Sequence, residues 1–293
     1  MDNSVGVIGL GNIGGAVARR LINQKLNVVV YDVDFAKRES LSKLGATFAD
    51  SIEDLMSTVK FIVTSLPNDQ VLNNVIFGDG GFIENAKDGQ VLIELSTVLP
   101  DTIVTIANKL QAKNVSVLDS PISGGPREAE KGELTLIIAG NDDTKSLCKD
   151  ILNKIGNKLL LVGEKVGEGK AVKLINNMMT MGNVLIASEA FAVGMKYGLD
   201  PQKLYDILSQ TGGKSHHFIK RFPKVVAEDY SSLFSIELGQ KDLDLALKWA
   251  GNQNLKLLVA SFVEQNYQEA KDSGLANEDI VAIIKLCQQR LLI

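Results

Sequence analysis

The sequence predicts an α/β fold: a doubly wound, Rossmann-type N-terminal domain followed by an all-α C-terminal domain. Three observations indicate this. Short runs rich in Val, Ile, Leu and Phe alternate with amphipathic segments up to about residue 163. A glycine-rich turn directly follows the first of these runs, and beyond Gly169 only helical periodicity remains. We expect a first, α/β domain over residues 1–164 and a second, helical domain over residues 165–293.

The predicted strands have the composition of parallel strands covered on both faces. They are residues 5–8, 28–31, 61–65, 91–95, 115–118 and 134–139. Helices are predicted over residues 12–24 and 34–44, with a further helix start at Ser51. In the second half, Asp200 followed by Pro201 indicates a helix start, and residues 275–279 begin the last helix in the same way.

Composition excludes several classes of protein. The chain has 293 residues, 45% of them apolar and 23% charged, which is typical of a globular protein rather than a disordered one. Its net charge is −4 and it has no basic run, so nucleic acid and anionic membranes are not expected partners. Two isolated cysteines favour neither a disulfide framework nor a metal site, and indicate a reducing, cytoplasmic location. We expect no signal peptide and no membrane-spanning stretch.

The glycine turn has the G-x-G-x-x-G spacing of a dinucleotide-binding loop. It reads Gly9-Leu10-Gly11-Asn12-Ile13-Gly14, between a predicted strand and a predicted helix. Its glycines permit a tight turn, a close approach of the backbone to a pyrophosphate, and packing of helix on strand. Asp32 ends the second strand, where a carboxylate accepts hydrogen bonds from the ribose hydroxyls of NAD and repels the 2′-phosphate of NADP. The sequence therefore predicts NAD as cofactor, although the nearby Lys37 and Arg38 leave NADP as the alternative.

Two further loops follow strands and are expected to face the cofactor. They contain Leu66 and Pro67 after the third strand and Thr97 after the fourth. Ligands of open parallel sheets bind outside the carboxyl ends of the strands. Taken alone, these residues are equally compatible with ordinary turns.

A helix beginning near Lys173 carries a second candidate site. Residues 174–188 contain no charged side chain. Yet Lys173 is followed on one helical face, at spacings of three and four, by three amides and one hydroxyl: Asn176, Asn177, Thr180 and Asn183. Burial lowers the pKa of a lysine, which would make Lys173 a usable general acid or base. The spacing alone is equally compatible with a structural stripe.

Three other segments are less decisive. Ser123, Gly124 and Gly125 offer backbone N–H groups and a hydroxyl suited to a carboxylate, or form a plain turn. The residues around Lys241 favour a solvated lysine paired with an acid. His216 and His217 have no companion at metal-ligand spacing and are expected in a mobile loop.

Taken together, these segments resemble the β-hydroxyacid dehydrogenase family, which includes 3-hydroxyisobutyrate dehydrogenase and tartronate semialdehyde reductase. The resemblance extends over the whole chain. It rests on the glycine loop, on residues 119–125 continued by 132–135, on Gly167-Glu168-Gly169 followed by Lys173 and Asn176-Asn177, and on Phe234 with Lys241-Asp242-Leu243. Asn12 and Ile13 depart from the usual small residue and Met.

The resemblance implies specific roles. Lys173 would be the catalytic acid/base and Asn177 its helper, and Ser123, Gly124 and Gly125 would hold the substrate carboxylate. Thr97 and Lys241 would belong to the cofactor and substrate pocket. The implied reaction is reversible hydride transfer between NAD and a short 3-hydroxy acid of the 3-hydroxyisobutyrate or tartronate semialdehyde type. Alternatives are another polar acid (a sugar acid, hydroxybutyrate or a sulfonate) and a scaffold that binds the nucleotide without catalysis.

The uncharged helix also predicts self-association. A helix without charges needs apolar cover on all sides, and about 120 C-terminal residues do not readily supply it. We expect a homodimer or homotetramer formed through the helical domain, and the resemblance implies the same.

Overall fold

The structure, a computed structural model, describes residues 4–292; for residue 292 it describes the backbone alone. Contacts divide the chain into two compact units, residues 1–173 and 174–293. The first unit contains one sheet, whose strands are β1 (Ser4–Ile8), β2 (Asn27–Tyr31), β3 (Thr47–Phe48), β4 (Phe61–Thr64), β5 (Val91–Glu94), β6 (Ser116–Asp119), β7 (Ile122–Ser123), β8 (Leu134–Ala139) and β9 (Gly156–Gly163). Its helices are α1 (Asn12–Asn23), α2 (Phe35–Ser42), α3 (Ile52–Thr58), α4 (Asp69–Phe77), α5 (Phe82–Asn85), α6 (Pro100–Gln111), α7 (Pro126–Lys131) and α8 (Asp142–Ile155).

The sheet is doubly wound, as predicted. Its order is β3-β2-β1-β4-β5-β6-β8-β7, with β9 also paired to β8, and the strands from β3 to β6 are parallel. Strand order reverses at β1, which lies between β2 and β4. Helices pack on both faces and bury apolar side chains such as Leu21 of α1 on one face and Leu55 of α3 on the other. The topological switch point that positions a nucleotide in such folds therefore lies at the carboxyl end of β1.

The far part of the sheet departs from the sequence prediction. β8 runs antiparallel to β6 and β7, because the chain returns through the short β7 and the six-residue α7 rather than through a full crossover helix. The strands β3, β7 and β9 were not predicted. β3 and β7 have only two residues each, and β9 lies along β8 with its apolar Leu160, Leu161 and Val162 exposed. A strand that leaves its apolar residues in solvent lacks the burial that a composition-based prediction assumes.

The second unit is helical, as predicted. Its elements are α9 (Glu168–Tyr197), which begins in the first unit, then α10 (Pro201–Leu208), α11 (His216–Val226), α12 (Ile236–Asn252), α13 (Leu258–Ala270) and α14 (Ile283–Leu292). A π-helical segment (Lys271–Leu275) and a 3₁₀ turn (Ile280–Ala282) connect α13 to α14. Asp200 caps α10 with Pro201 in its first turn, as expected, and Asp279 caps the 3₁₀ turn.

The expectation of a mobile loop at His216 and His217 is wrong. Both residues lie in the first turn of α11, where the Ser215 hydroxyl accepts a hydrogen bond from the Phe218 N–H. Phe218 and Phe222 of this helix pack on Phe191, with the Phe218 and Phe222 ring centroids 4.5 Å apart. The Ser cap and the apolar periodicity that follows it fix the helix start.

The expectation that no stretch is long enough to cross a membrane also needs correction. Within residues 4–292, α9 passes that test by length and composition alone. The core helix of a globular protein passes it equally. The polar stripe of α9 includes the buried Asn177 and Thr180. Length and composition alone therefore do not make α9 a membrane helix; one face of it is buried, whereas Met179 and Ile186 on another face are exposed.

Candidate active site

The glycine turn between β1 and α1 has little room for side chains. Gly9 has a φ of 89°, and a Cβ there would lie 2.4 Å from the Ser65 carbonyl oxygen. A Cβ on Gly14 would lie 1.8 Å from the Gly9 carbonyl oxygen. By contrast, a Cβ on Gly11 would meet nothing within 4 Å. The first and third glycines are thus required by the fold itself, whereas Gly11 leaves an open space at the N-terminus of α1. Asn12 and Ile13 form the first turn of that helix.

Asp32, just after β2, is connected to this turn. One of its carboxylate oxygens accepts the Leu10 N–H at 2.6 Å and the other accepts the Asp34 N–H at 2.8 Å. The Lys37 ammonium lies 3.9 Å away. Arg38 lies over the rings of Tyr31, Phe35 and Phe48 and donates to the Ala49 carbonyl. The acid that was predicted to meet a ribose is therefore held beside the glycine turn, while Arg38 is occupied by aromatic contacts.

The two loops that follow β4 and β5 are joined by a hydrogen bond. The Leu66 N–H donates to the Ser96 hydroxyl at 2.8 Å. Pro67 and Thr97 follow directly in the two loops. Both loops leave the same edge of the sheet as the glycine turn, because β1, β4 and β5 are parallel neighbours. This edge collects most of the predicted cofactor residues.

The predicted carboxylate-binding segment lies at the end of β7. Gly124 has a φ of 133°, which favours glycine. The Gly125 N–H, at the N-cap of α7, donates to the Glu128 side chain at 3.0 Å. A substrate carboxylate would therefore compete with Glu128 for this N–H.

A buried ion cluster that sequence reasoning missed lies at the start of α9. The Lys170 ammonium lies 2.6 Å from the Glu94 carboxylate, 3.2 Å from the Asp119 carboxylate and 3.0 Å from the Glu94 carbonyl oxygen, and all three side chains are fully buried. Burial alone lowers the pKa of Lys170, but the two carboxylates outweigh it and the net shift of its pKa is upward. The ammonium therefore stays charged. A signal was present: Glu94 is a carboxylate in an otherwise apolar strand, and such a group requires a partner.

In the second unit, hydrogen bonds fix the amide of Asn177. Its side-chain NH₂ donates to the Asp242 carboxylate at 2.6 Å, and its carbonyl oxygen accepts from Asn176 at 3.0 Å. Asp242 is in turn paired with the Lys241 ammonium at 2.9 Å. The structure thus brings Asn177 and Lys241, two of the predicted site residues, to one polar cluster around Asp242.

A second polar network lies one turn further along α9. The Thr180 hydroxyl and the His217 Nε2 are 3.0 Å apart, and the Arg221 Nε donates to the His217 Nδ1 at 3.4 Å. Since Arg221 can only donate, Nδ1 accepts and the neutral imidazole carries its proton on Nε2. Arg221 is itself held in a buried ion pair with Asp279. His217 is therefore an ordered part of this unit.

The residues of the first unit fit a dinucleotide. An open space at a helix N-terminus suits a pyrophosphate, because unpaired N–H groups and the helix dipole favour an anion there. An acid at the end of the adjacent strand suits a ribose. The fold and this edge of the sheet define the class of protein: a dinucleotide-binding protein of the doubly wound α/β type.

Comparisons with known proteins specify the family. A family model described as the NAD binding domain of 6-phosphogluconate dehydrogenase matches residues 4–163. A second, described as "NAD-binding of NADP-dependent 3-hydroxyisobutyrate dehydrogenase", matches residues 167–287. The chain is 30% identical to 2-(hydroxymethyl)glutarate dehydrogenase of Eubacterium barkeri, covering 97% of this chain and 95% of that enzyme. It is 31% identical to L-threonate dehydrogenase of Cupriavidus necator, covering 98% and 96%. The crystal structure of 3-hydroxyisobutyrate dehydrogenase from Salmonella typhimurium is similar with a TM-score of 0.86 at 27% identity, covering 97% and 99%.

The chain belongs to the β-hydroxyacid dehydrogenase family. It is an NAD(P)-dependent hydroxy acid dehydrogenase that acts on CH–OH donors, as the resemblance implied.

Proposed function

We propose that the protein catalyses the reversible oxidation of a short 3-hydroxy acid with NAD, and that Lys173 is the acid/base. The observation that carries this proposal is the arrangement on α9. Lys173 and Asn177 are one helical turn apart on the same face, and the Asn177 amide is fixed in one orientation by Asp242 and Asn176. An amide immobilised beside a lysine is suited to orient a reacting hydroxyl.

Each proposed role corresponds to an atom of this chain. Bound NAD supplies the hydride acceptor for the carbinol carbon. The Lys173 Nζ, when neutral, accepts the hydroxyl proton in oxidation and returns it to the carbonyl oxygen in reduction. The Ser123 hydroxyl with the Gly124 and Gly125 N–H groups would hold the carboxylate, which would replace the Glu128 side chain as the acceptor of the Gly125 N–H. Asp32 would accept the ribose hydroxyls, and this favours NAD over NADP.

We propose a 3-hydroxy acid such as 3-hydroxyisobutyrate or the tartronate semialdehyde/glycerate pair. L-threonate and 2-(hydroxymethyl)glutarate, the substrates named for the relatives, belong in the same panel. NADH formation with each acid identifies the substrate. Tight NAD binding without turnover on any of them would favour a non-catalytic scaffold instead.

The role of Lys173 is tested by two substitutions. Lys173→Ala should lower kcat by a factor on the order of 10²–10⁴, which is the usual contribution of a positioned acid/base. Lys173→Arg should be impaired to a similar extent, because a guanidinium stays protonated and cannot accept the hydroxyl proton. Lys196→Ala, which removes an exposed lysine in the last turn of the same helix, is the matched control. NAD affinity should change little in all three variants.

The pH dependence separates catalysis from structure. In oxidation, wild-type kcat should rise with pH as Lys173 loses its proton. The kcat of Lys173→Ala should not show this rise. Near-normal turnover of Lys173→Arg would remove Lys173 from the mechanism.

We also propose that two copies associate through α9. Apolar side chains exposed at spacings of four and seven form a stripe on this helix, and α13 adds three further exposed apolar residues: Ile175, Met179, Ile186, Val193 and Tyr197, with Leu258, Val259 and Phe262. An exposed apolar patch of this length is typical of an interface. Met179→Glu with Ile186→Glu should yield monomers in sedimentation velocity. A monomeric wild type at micromolar concentration would refute the proposal.

We propose a reducing, cytoplasmic location. Cys148 and Cys287 are both free and buried, which is typical of proteins from reducing compartments. Localisation of a tagged full-length chain by fractionation tests this.

A further inference from the structure

The Lys170 ammonium joins three segments to which the proposed function assigns ligands. Its partners Glu94 and Asp119 are the last residues of β5 and β6, 76 and 51 residues away in sequence. Thr97 follows β5, the carboxylate-binding segment follows β6, and Lys173 is three residues further along α9. The buried Lys170 ammonium thus connects the start of the loop that contains Thr97, the start of the carboxylate-binding segment and the first turn of the helix that carries Lys173.

The carboxylates extend this connection to the backbone. One Asp119 oxygen accepts the Gly167 N–H at 2.8 Å and the Lys170 N–H at 3.2 Å, so Asp119 caps the start of α9. A Cβ on Gly169 would lie 3.0 Å from that carboxyl group, so helix and carboxylate are in close contact. The start of α9 is therefore held against the end of β6.

Glu94 makes the corresponding connection to the loops. One of its oxygens accepts the Ser96 N–H at 2.9 Å, and Ser96 in turn accepts the Leu66 N–H. Among the residues that the structure describes, the other Glu94 oxygen and the second Asp119 oxygen have the Lys170 ammonium as their polar contact and no hydrogen-bond donor besides it. Removing the ammonium would leave two buried carboxylates facing each other.

We propose that Lys170 is a positioning residue, which holds Lys173 in register with the cofactor and substrate loops through Glu94 and Asp119. This inference rests on the proposed role of Lys173. The alternative is that the cluster only stabilises the fold. Buried ion clusters are weak evidence for stability, because well-packed neutral replacements often match them. The position of a reacting group, by contrast, has a steep effect on the reaction rate, since a displacement of about 1 Å lowers the rate roughly 10²-fold.

The test uses the double variant Lys170→Gln/Glu94→Gln. It keeps a polar pair at the site and removes one positive and one negative formal charge, so the formal net charge of the cluster stays at −1. A change at Lys173 then reports altered position rather than an altered charge. Cys148→Ala and Leu152→Ala are the controls for stability. Both residues are buried in α8 of the same unit and lie outside the three segments that Lys170 connects, so their truncation lowers stability by different amounts without affecting the site.

Four quantities are compared between the double variant and whichever control has lost the same amount in its urea unfolding midpoint. We expect the double variant to lose roughly 10- to 100-fold in kcat, with KM and the Kd for NAD within about threefold of wild type. The pH midpoint for acetylation of Lys173 by acetic anhydride, followed by mass spectrometry of its peptide, should move by about half a unit or more. The controls should keep both kcat and this midpoint.

The outcomes are distinct. A double variant that matches the controls in kcat and in Lys173 acetylation overturns the inference. If the double variant does not fold, Glu94→Gln alone retains the Lys170–Asp119 pair, and unchanged kcat and acetylation in it would also overturn the inference. If wild type turns over no hydroxy acid, the proposed function fails, whereas the acetylation measurement still decides whether Lys170 positions Lys173.

Discussion

Substitution of Gly11 by alanine should separate nucleotide binding from folding. Gly11 has a φ of −65° and a ψ of −167°, which alanine adopts without strain, and its added methyl would meet no protein atom within 4 Å. Alanine gains up to about 1 kcal/mol by restricting the unfolded chain. It is also a poorer N-cap than glycine, which offsets part of that gain. The free energy of unfolding should therefore stay within about 1 kcal/mol of wild type.

Binding of NAD should respond differently. The open space at Gly11 is where a pyrophosphate would approach the N-terminus of α1, and a methyl group there displaces it. Loss of one hydrogen bond to a charged group costs about 1.5–3 kcal/mol. This corresponds to a Kd roughly ten- to a hundredfold higher.

The assay is a fluorescence titration with NADH beside urea unfolding without cofactor. Gly14→Ala is the contrasting variant: its methyl overlaps the Gly9 carbonyl oxygen at 1.8 Å, so it should lose stability as well as affinity. Gly251→Ala is the matched control, since its methyl is equally unobstructed but lies in α12. Wild-type affinity in Gly11→Ala would show that the pyrophosphate does not approach this residue.

Four further outcomes are expected. Asp32→Ala should raise the Kd for NAD and reduce the preference for NAD over NADP in kcat/KM, and a wild type that already prefers NADP would contradict the role of Asp32. Burial raises the pKa of the Cys148 thiol to about 12 and that of Cys287 to about 11, so neither should react with a disulfide reagent at pH 8 until urea unfolds the chain. Their contribution to stability is present below the ordinary thiol pKa near 9 and is lost as the pH rises through the raised values, which alkaline unfolding curves would detect. Arg221→Met should cost about 3–5 kcal/mol in urea unfolding, because it leaves the buried Asp279 carboxylate without its cation; a cost under about 1 kcal/mol would contradict this.

The sequence predicted those parts of the fold and of the site whose contacts are made between residues close together in the chain. The glycine turn and the end of β2 lie within about 25 residues, and their spacing specifies the backbone geometry. The Asp200–Pro201 helix start was confirmed for the same reason. Lys170 was not predicted, because its partners are 76 and 51 residues away and only the folded sheet brings them together.

Two misses had different causes. For His217, a local signal was available in the Ser215 cap and was outweighed by the neighbouring glycines. For β9, the missing information was its pairing with β8, since exposed apolar residues give a strand no distinctive pattern.

The exposed apolar residues of β9 have a consequence for handling the protein. β9 runs along the outer side of β8, and among residues 4–292 no further strand pairs with it. An edge strand carrying Leu160, Leu161 and Val162 in solvent is a template for intermolecular pairing. Charged residues on either side of these apolar positions, Lys158 within β9 and Glu164 and Lys165 after it, act as gatekeepers against such pairing. Neutralising these charges should therefore promote aggregation during expression and refolding while leaving turnover of the folded enzyme intact.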